Sequence, residues 1–238
     1  MSDRIILTNG LLIDGTGKPP LSEATVVIQG DRITDIVDSP PRHDSSCPVL
    51  DMKGKTILPG LIDAHVHPGN VEISLDRTAL LPPAVYVHRA SRTLALDLQL
   101  GFTTLRDGAG LDPGFREAID LNLIAGPRLM LSITPLHQTS SAALDRPVPL
   151  NTPRNSLGVR PEICDGPEDV RKAVRRTIGR GADQIKIFAD GEVVAQDKHD
   201  RTGPGQWKFS LEEIEMAVAT ANAAGIPVIA GPIEATAI

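Results

Sequence analysis

The run Asp63-Ala64-His65-Val66-His67 places two imidazoles two residues apart at the end of an apolar stretch. Alternate side chains of an extended strand share a face, so His65, His67 and Asp63 point the same way. Two neutral imidazoles about 6–7 Å apart along a strand can grip one ion, and imidazole suits Zn, Fe, Ni and Cu. Solvated histidines at a strand end are the plain alternative. Lys186 is the second anomaly, inside Gln184-Ile185-Lys186-Ile187-Phe188-Ala189. A lysine within a buried strand is costly unless neutralised. Either it snorkels from the strand end, or it has lost its proton and reacted with CO2. The resulting carbamate is an anionic ligand with two oxygens, able to bridge two metal ions.

The elements that must position these groups change character near residue 58. Residues 1–58 read as a small β-sheet domain of short strands. Ile5-Ile6-Leu7 and Leu11-Leu12-Ile13 flank Asn9-Gly10, which predicts a hairpin turn, and Ala24 to Gln29 and Arg32 to Val37 flank Gly30-Asp31, which predicts another. Val49 to Met52 and Thr56 to Leu58 continue the pattern. Residues 59–238 alternate strand with helix. Buried parallel strands are predicted over Gly60 to Val66, Thr103 to Leu105, Arg128 to Ile133, Gln184 to Ala189 and Pro227 to Ala230. Helices are predicted from Pro83 to Leu100, from Asp112-Pro113 to Gly126, from Pro167 to about Gly181, and from the Ser210-Leu211-Glu212-Glu213 capping box to Gly225. This is an α/β pattern with a parallel sheet. About five βα units fit, whereas a closed eight-stranded barrel takes about 250 residues. The segment is therefore either an open sheet or the front part of a longer barrel. The long connections Thr134 to Gly166 and Asp190 to Phe209 both leave carboxyl ends of strands, the rim where such sheets bind ligands.

Composition narrows the partners. The 238 residues carry 24 Lys+Arg against 30 Asp+Glu, a net charge of −6, which excludes the basic surface that non-specific nucleic-acid or anionic-membrane binding needs. Aromatic residues make up only 3%, too few for stacking platforms on single strands. Cys47 and Cys164 form no metal-binding spacing and read as two free thiols of a reduced compartment. The N-terminal apolar run is too short for a secretory leader, and no stretch of 18 apolar residues exists, so a soluble cytoplasmic protein is expected. The bare apolar edge of the fifth strand (Val228, Ile229) makes a homo-oligomer an expectation as well.

Ile57-Leu58-Pro59-Gly60-Leu61-Ile62-Asp63-Ala64-His65-Val66-His67 resembles the first-strand signature of the metal-dependent amidohydrolase superfamily. The segments Gly101-Phe102-Thr103-Thr104-Leu105-Arg106-Asp107, Gly126-Pro127-Arg128 and Gly181 to Ile187 resemble, in order, later landmarks of its imidazolonepropionase-like and Xaa-Pro dipeptidase (prolidase)-like branch. The resemblance covers nearly the whole chain. It implies a partial (β/α)8 TIM-like barrel preceded by part of a small β domain, with the C-terminal half of the family's fold outside this sequence. It also implies one or two divalent metals, usually zinc, and a water that attacks an amide, cyclic amide or dipeptide C–N bond in a small-molecule substrate. On this resemblance His65 and His67 match the first-strand metal ligands, and Lys186 matches the carboxylated bridging lysine.

Three departures accompany it. Gly231 stands where the family has a fifth-strand histidine, in Val228-Ile229-Ala230-Gly231-Pro232. The sixth-strand histidine and the eighth-strand aspartate have no counterpart before Ile238. The loop after the third strand reads Thr139-Ser140-Ser141-Ala142-Ala143 where the family often has Gly-Gly-His. His137 lies nearby, either as a surface-loop histidine or as a substitute in substrate binding. Two functions follow: a metal-dependent amide hydrolase, or an inactive remnant that retains metal or partner binding. No GxxxxGK[ST], G-x-G-x-x-G or G-x-S-x-G motif opens a helix, which removes kinase, dehydrogenase and serine-hydrolase readings.

Overall fold

The computed structural model describes residues 3–38, 47–73, 75–139, 161–189 and 209–231, and these fall into two compact units, Met1–Gly60 and Leu61–Ile238. Most of both long connections, and the Ser140 to Ala143 segment, lie outside the described residues.

The first unit is one sheet. Strands β1 (Arg4–Leu12), β2 (Leu21–Gln29) and β3 (Arg32–Val37) pair antiparallel in sequence, while β4 (Val49–Asp51) and β5 (Thr56–Ile57) both run parallel to β1. Gly30 makes the β2–β3 turn with φ 60°, as its sequence predicts. Asn9-Gly10 does not turn the chain. It is a bulge inside a continuous β1, with Asn9 at φ 60° and the β1–β2 register shifting there. The reason lies across the sheet. β4 pairs with Ile6 to Thr8 and β5 with Leu11 to Leu12, so β1 must accommodate the excursion between them. Asn9 Nδ2 donates to Asp51 Oδ1 at 2.9 Å, and a Cβ on Gly10 would sit 2.7 Å from Ile57 Cδ1. Leu12, Ala24 and Val26 form a small core lined by Leu7, Leu21, Ile28 and Ile57.

The second unit alternates strand and helix. In order it contains β6 (Leu61–Val66), α1 (Leu75–Leu80), α2 (Pro83–Gln99), β7 (Phe102–Asp107), α3 (Pro113–Asp120), β8 (Arg128–Leu131), β9 (Leu136–His137), β10 (Glu162–Ile163), α4 (Pro167–Gly179), β11 (Ile185–Ile187), α5 (Leu211–Asn222) and β12 (Val228–Ala230). All strand pairs are parallel, in the orders β6-β7-β8 and β10-β9-β11-β12. Asp183 joins the two groups. Its N–H donates to Leu131 O at 2.8 Å, and its carboxylate accepts from Leu131 N at 2.7 Å and from Arg116 of α3 at 2.8 Å. The unit is thus a partial (β/α)8 barrel, with four βα units and a fifth strand among the described residues, and the sheet of the first unit precedes it in the chain.

Most strands and helices lie where periodicity places them, with local exceptions. α1, β9 and β10 have no sequence signal long enough to read. α3 stops at Asp120 rather than near Gly126, because Asn122 takes φ 57°. The third strand breaks at Ile133, whose φ of 61° is strained for a β-branched residue. The chain resumes as β9 beside β11. β6, expected to be buried, leaves Leu61 47% and Ile62 69% exposed, since among the described residues it pairs with β7 alone. Two cores pack the helices against the strands: one gathers Tyr86, Leu94, Leu105, Phe115 and Leu131, the other Leu136, Val170, Val174, Ile185 and Ile187.

Candidate metal centre

Period-two geometry divides β11 into two faces. Ile185 and Ile187 pack into the core with α4 and α5, so Lys186 between them faces the opposite way, and it is 1% exposed. Its Nζ lies 3.1 Å from Nε2 of His65, a residue 121 positions earlier in the chain. The His65 and His67 rings are 5.3 Å apart between centroids. The three residues singled out by type and spacing therefore converge at the carboxyl ends of β6 and β11. Asp63, on the same face of β6, turns inward on its own strand and accepts from His65 N at 3.0 Å.

Both histidines are held below the ordinary imidazole pKa. For each, burial is the largest cause and the nearby Lys186 charge adds to it. Burial favours the neutral ring, the form that ligates a metal, whether or not Lys186 carries its charge. His67 Nδ1 lies 3.0 Å from the Ala109 carbonyl oxygen. A carbonyl only accepts, so that nitrogen carries the proton and Nε2 carries the lone pair.

Glycines keep the centre open. A Cβ on Gly108, just past β7, would lie 2.7 Å from His67 Cε1 and 3.0 Å from His65 Nε2. A Cβ on Gly231, just past β12, would lie 2.9 Å from Lys186 Nζ. Position 231 therefore faces the same point as Lys186, and a side chain there would enter the centre. Among the described residues, no three His, Cys, Asp or Glu side chains gather as a metal cluster. Two neutral imidazoles fit a divalent ion. Lys186 would repel the ion as an ammonium, and fits as an anionic third ligand as its carbamate.

His137 is not a surface-loop histidine. It is 1% exposed on β9, because after the break at Ile133 the chain resumes as a strand parallel to β11. Its ring lies 4.3 Å from that of Phe188, and Lys186 Nζ lies 5.2 Å from the Phe188 ring. Cys47 and Cys164 are buried and form no disulfide, and burial with neighbouring Asp165 and Glu162 pushes Cys164 up to about 12.

Residue-type reasoning missed the groups behind the histidines. Asp107 ends β7, fully buried, and burial raises its carboxyl to about 7. Gln184 Nε2 lies within 3.0–3.1 Å of three acceptors, Asp107 O, Met130 O and Ser132 Oγ. Asp107 and Gln184 sit inside segments already quoted for their resemblance, and the signal that could have found Asp107 was its place at a strand's carboxyl end.

A model of the amidohydrolase family matches residues 56–231. The ochratoxinase of Aspergillus niger is 34% identical over 230 residues, covering 90% of this chain and 47% of that protein. Its crystal structure superposes with a TM-score of 0.75 at 31% identity, over 96% of this chain and 55% of that one. A prolidase complexed with N-methylphosphonate-L-proline gives 0.84 at 31% identity, over 98% and 57%. A Xaa-Pro dipeptidase with methionine bound in its active site gives 0.79 at 26% identity, over 98% and 58%. The chain spans about half the length of the curated relatives it matches. With that match running from β5 to the residue after β12, the chain belongs to the amidohydrolase family.

Proposed function

We propose that this chain supplies the first part of the metal centre of a hydrolase acting on amide-type C–N bonds, with His65, His67 and Lys186 as metal-holding residues and an amide or dipeptide as substrate. The observation that carries the reading is the meeting of His65 Nε2 and Lys186 Nζ at 3.1 Å, from strand ends far apart in sequence. Kinship with an ochratoxinase and prolidases supports the amide class. A bound divalent ion, zinc being the usual choice for imidazole, supplies Lewis-acid activation of water and of the carbonyl. The chain's own residues do the rest. His67 holds its proton on Nδ1 against Ala109 O, so Nε2 is the nitrogen that would hold the ion. Lys186, buried, is retained as an anion through its carbamate. His137, against Phe188, is placed to orient the substrate's polar end.

Zinc content after dialysis in bicarbonate buffer tests this. The chain should retain up to one equivalent, and the double variant His65→Ala/His67→Ala should retain none. Equal content in both would refute the reading.

Gly231 favours a second reading, a remnant that holds metal without turnover. The position that faces Lys186 offers no ligand, so on this reading the 238-residue chain binds zinc but hydrolyses no amide above background.

A further inference from the structure

Asp107 shares the face of β7 with Leu105, whose side chain packs in the core with Leu94 and Phe115. Its carboxylate therefore lies behind the centre and not in it. There it accepts from two backbone N–H groups of the following loop, Ala109 N at 3.3 Å and Leu111 N at 3.1 Å, one on each oxygen. The start of that loop is pinned as well. Ser132 Oγ donates to Asp107 O at 2.9 Å, Gln184 Nε2 donates to it at 3.0 Å, and Gly108 N donates to Val66 O at 2.9 Å. The far side is closed by the buried Tyr86 hydroxyl, which donates to Gly110 O. A turn so fixed has one product visible at the centre: the Ala109 carbonyl, 3.0 Å from His67 Nδ1.

We infer that Asp107 is a positioning residue for His67, setting through residues 108–111 the tautomer in which Nδ1 is protonated and Nε2 is the donor nitrogen. The inference rests on the reading of His67 as a ligand. Burying a carboxylate is expensive, and a neutral amide replaces it only in part, because its oxygen keeps one N–H bond while its NH2 group would face the other N–H donor. Outer partners that fix a ligating histidine are worth roughly 10–100-fold in metal affinity.

The test uses the 238-residue chain labelled with 15N, metal-free, at a pH where His67 is neutral. Two-bond proton–nitrogen correlations, assigned by comparison with His67→Ala, report which ring nitrogen carries the proton. The wild-type chain should show Nδ1–H. Asp107→Ala should shift His67 toward Nε2–H and weaken zinc binding roughly 10–100-fold, with Asp107→Asn intermediate. Val174→Ala, on the buried face of α4, should lower stability and leave both readouts unchanged. A wild-type His67 protonated on Nε2 overturns the inference before any variant is made, so a misfolded Asp107→Ala leaves it open to refutation. An unchanged tautomer and affinity in a folded Asp107→Asn or Asp107→Ala also overturns it. A wild-type chain that binds no zinc, but whose His67 tautomer still responds to Asp107, refutes the metal reading alone and leaves the positioning role standing.

Discussion

At the scale of single residues, the centre depends as much on what is missing as on what is present. Gly108 lies so close to both imidazoles that any side chain must displace them: its Cβ would meet His67 Cε1 at 2.7 Å, well inside van der Waals contact. Gly108→Ala should therefore weaken zinc binding by about tenfold or more, the scale of outer-partner losses, while thermal unfolding stays cooperative. Titration against a chromophoric chelator measures it, and unchanged affinity would mean that the rings are not held where the structure puts them. His65, His67 and Lys186 were legible in sequence because their types are out of place in apolar strands. Gly108 and Asp107 were not. A glycine after a strand looks like punctuation, and an aspartate at a strand end looks like a surface acid until the fold buries it. His137 was misread for a related reason: the kink at Ile133 interrupts the third strand, and the sequence does not show that it resumes as β9, parallel to β11.

Elements were easiest to read where the signal is local. The capping box at Ser210 is real, with Ser210 Oγ accepting from Glu213 N at 3.3 Å and Glu213 Oε2 accepting from Ser210 N at 2.6 Å. Sequence did not show that Glu213 serves a second helix. Its other oxygen accepts from Gly166 N, at the N-cap of α4, at 2.6 Å. One carboxylate thus satisfies donors at two helix starts, where negative charge is favoured. Glu213→Ala should destabilise the chain by about 2 kcal/mol, against about 1 kcal/mol for Ser210→Ala, which loses one cap bond. Chemical denaturation of both variants distinguishes them, and equal losses would mean that the Gly166 contact contributes nothing. The Asn9-Gly10 misreading shows the opposite limit. The dipeptide supplies the positive φ of a turn, but the same backbone suits a bulge, and β4 and β5, some forty residues away, decide between them.

At the scale of the whole molecule, strand–helix alternation identified the partial barrel, because each βα unit repeats the same pattern and parallel order follows from it. How the edge strands are covered cannot be read from such a pattern, since burial of an edge depends on a neighbour that the pattern does not name. Among the described residues β6 pairs only with β7, and β12 only with β11. The β6 edge shows Leu61 at 47% and Ile62 at 69% exposure, while Val228 and Ile229 of β12 are half-buried. Unpaired N–H and C=O groups beside apolar side chains form a template for another strand. Apolar surface adds roughly 25 cal/mol per Å² on burial, so association is favoured at both edges. The 238-residue chain should accordingly elute in size exclusion above its 25.3 kDa monomer mass, in a concentration-dependent manner. Ile62→Lys, which places a charge on the most exposed large apolar position of β6, should shift the distribution toward monomer without altering zinc content, because residue 62 alternates away from the His65 face. A wild-type chain that runs as a sharp monomer at all concentrations would show that these edges are covered within the chain. A variant that loses zinc together with association would show that the metal centre is assembled between copies.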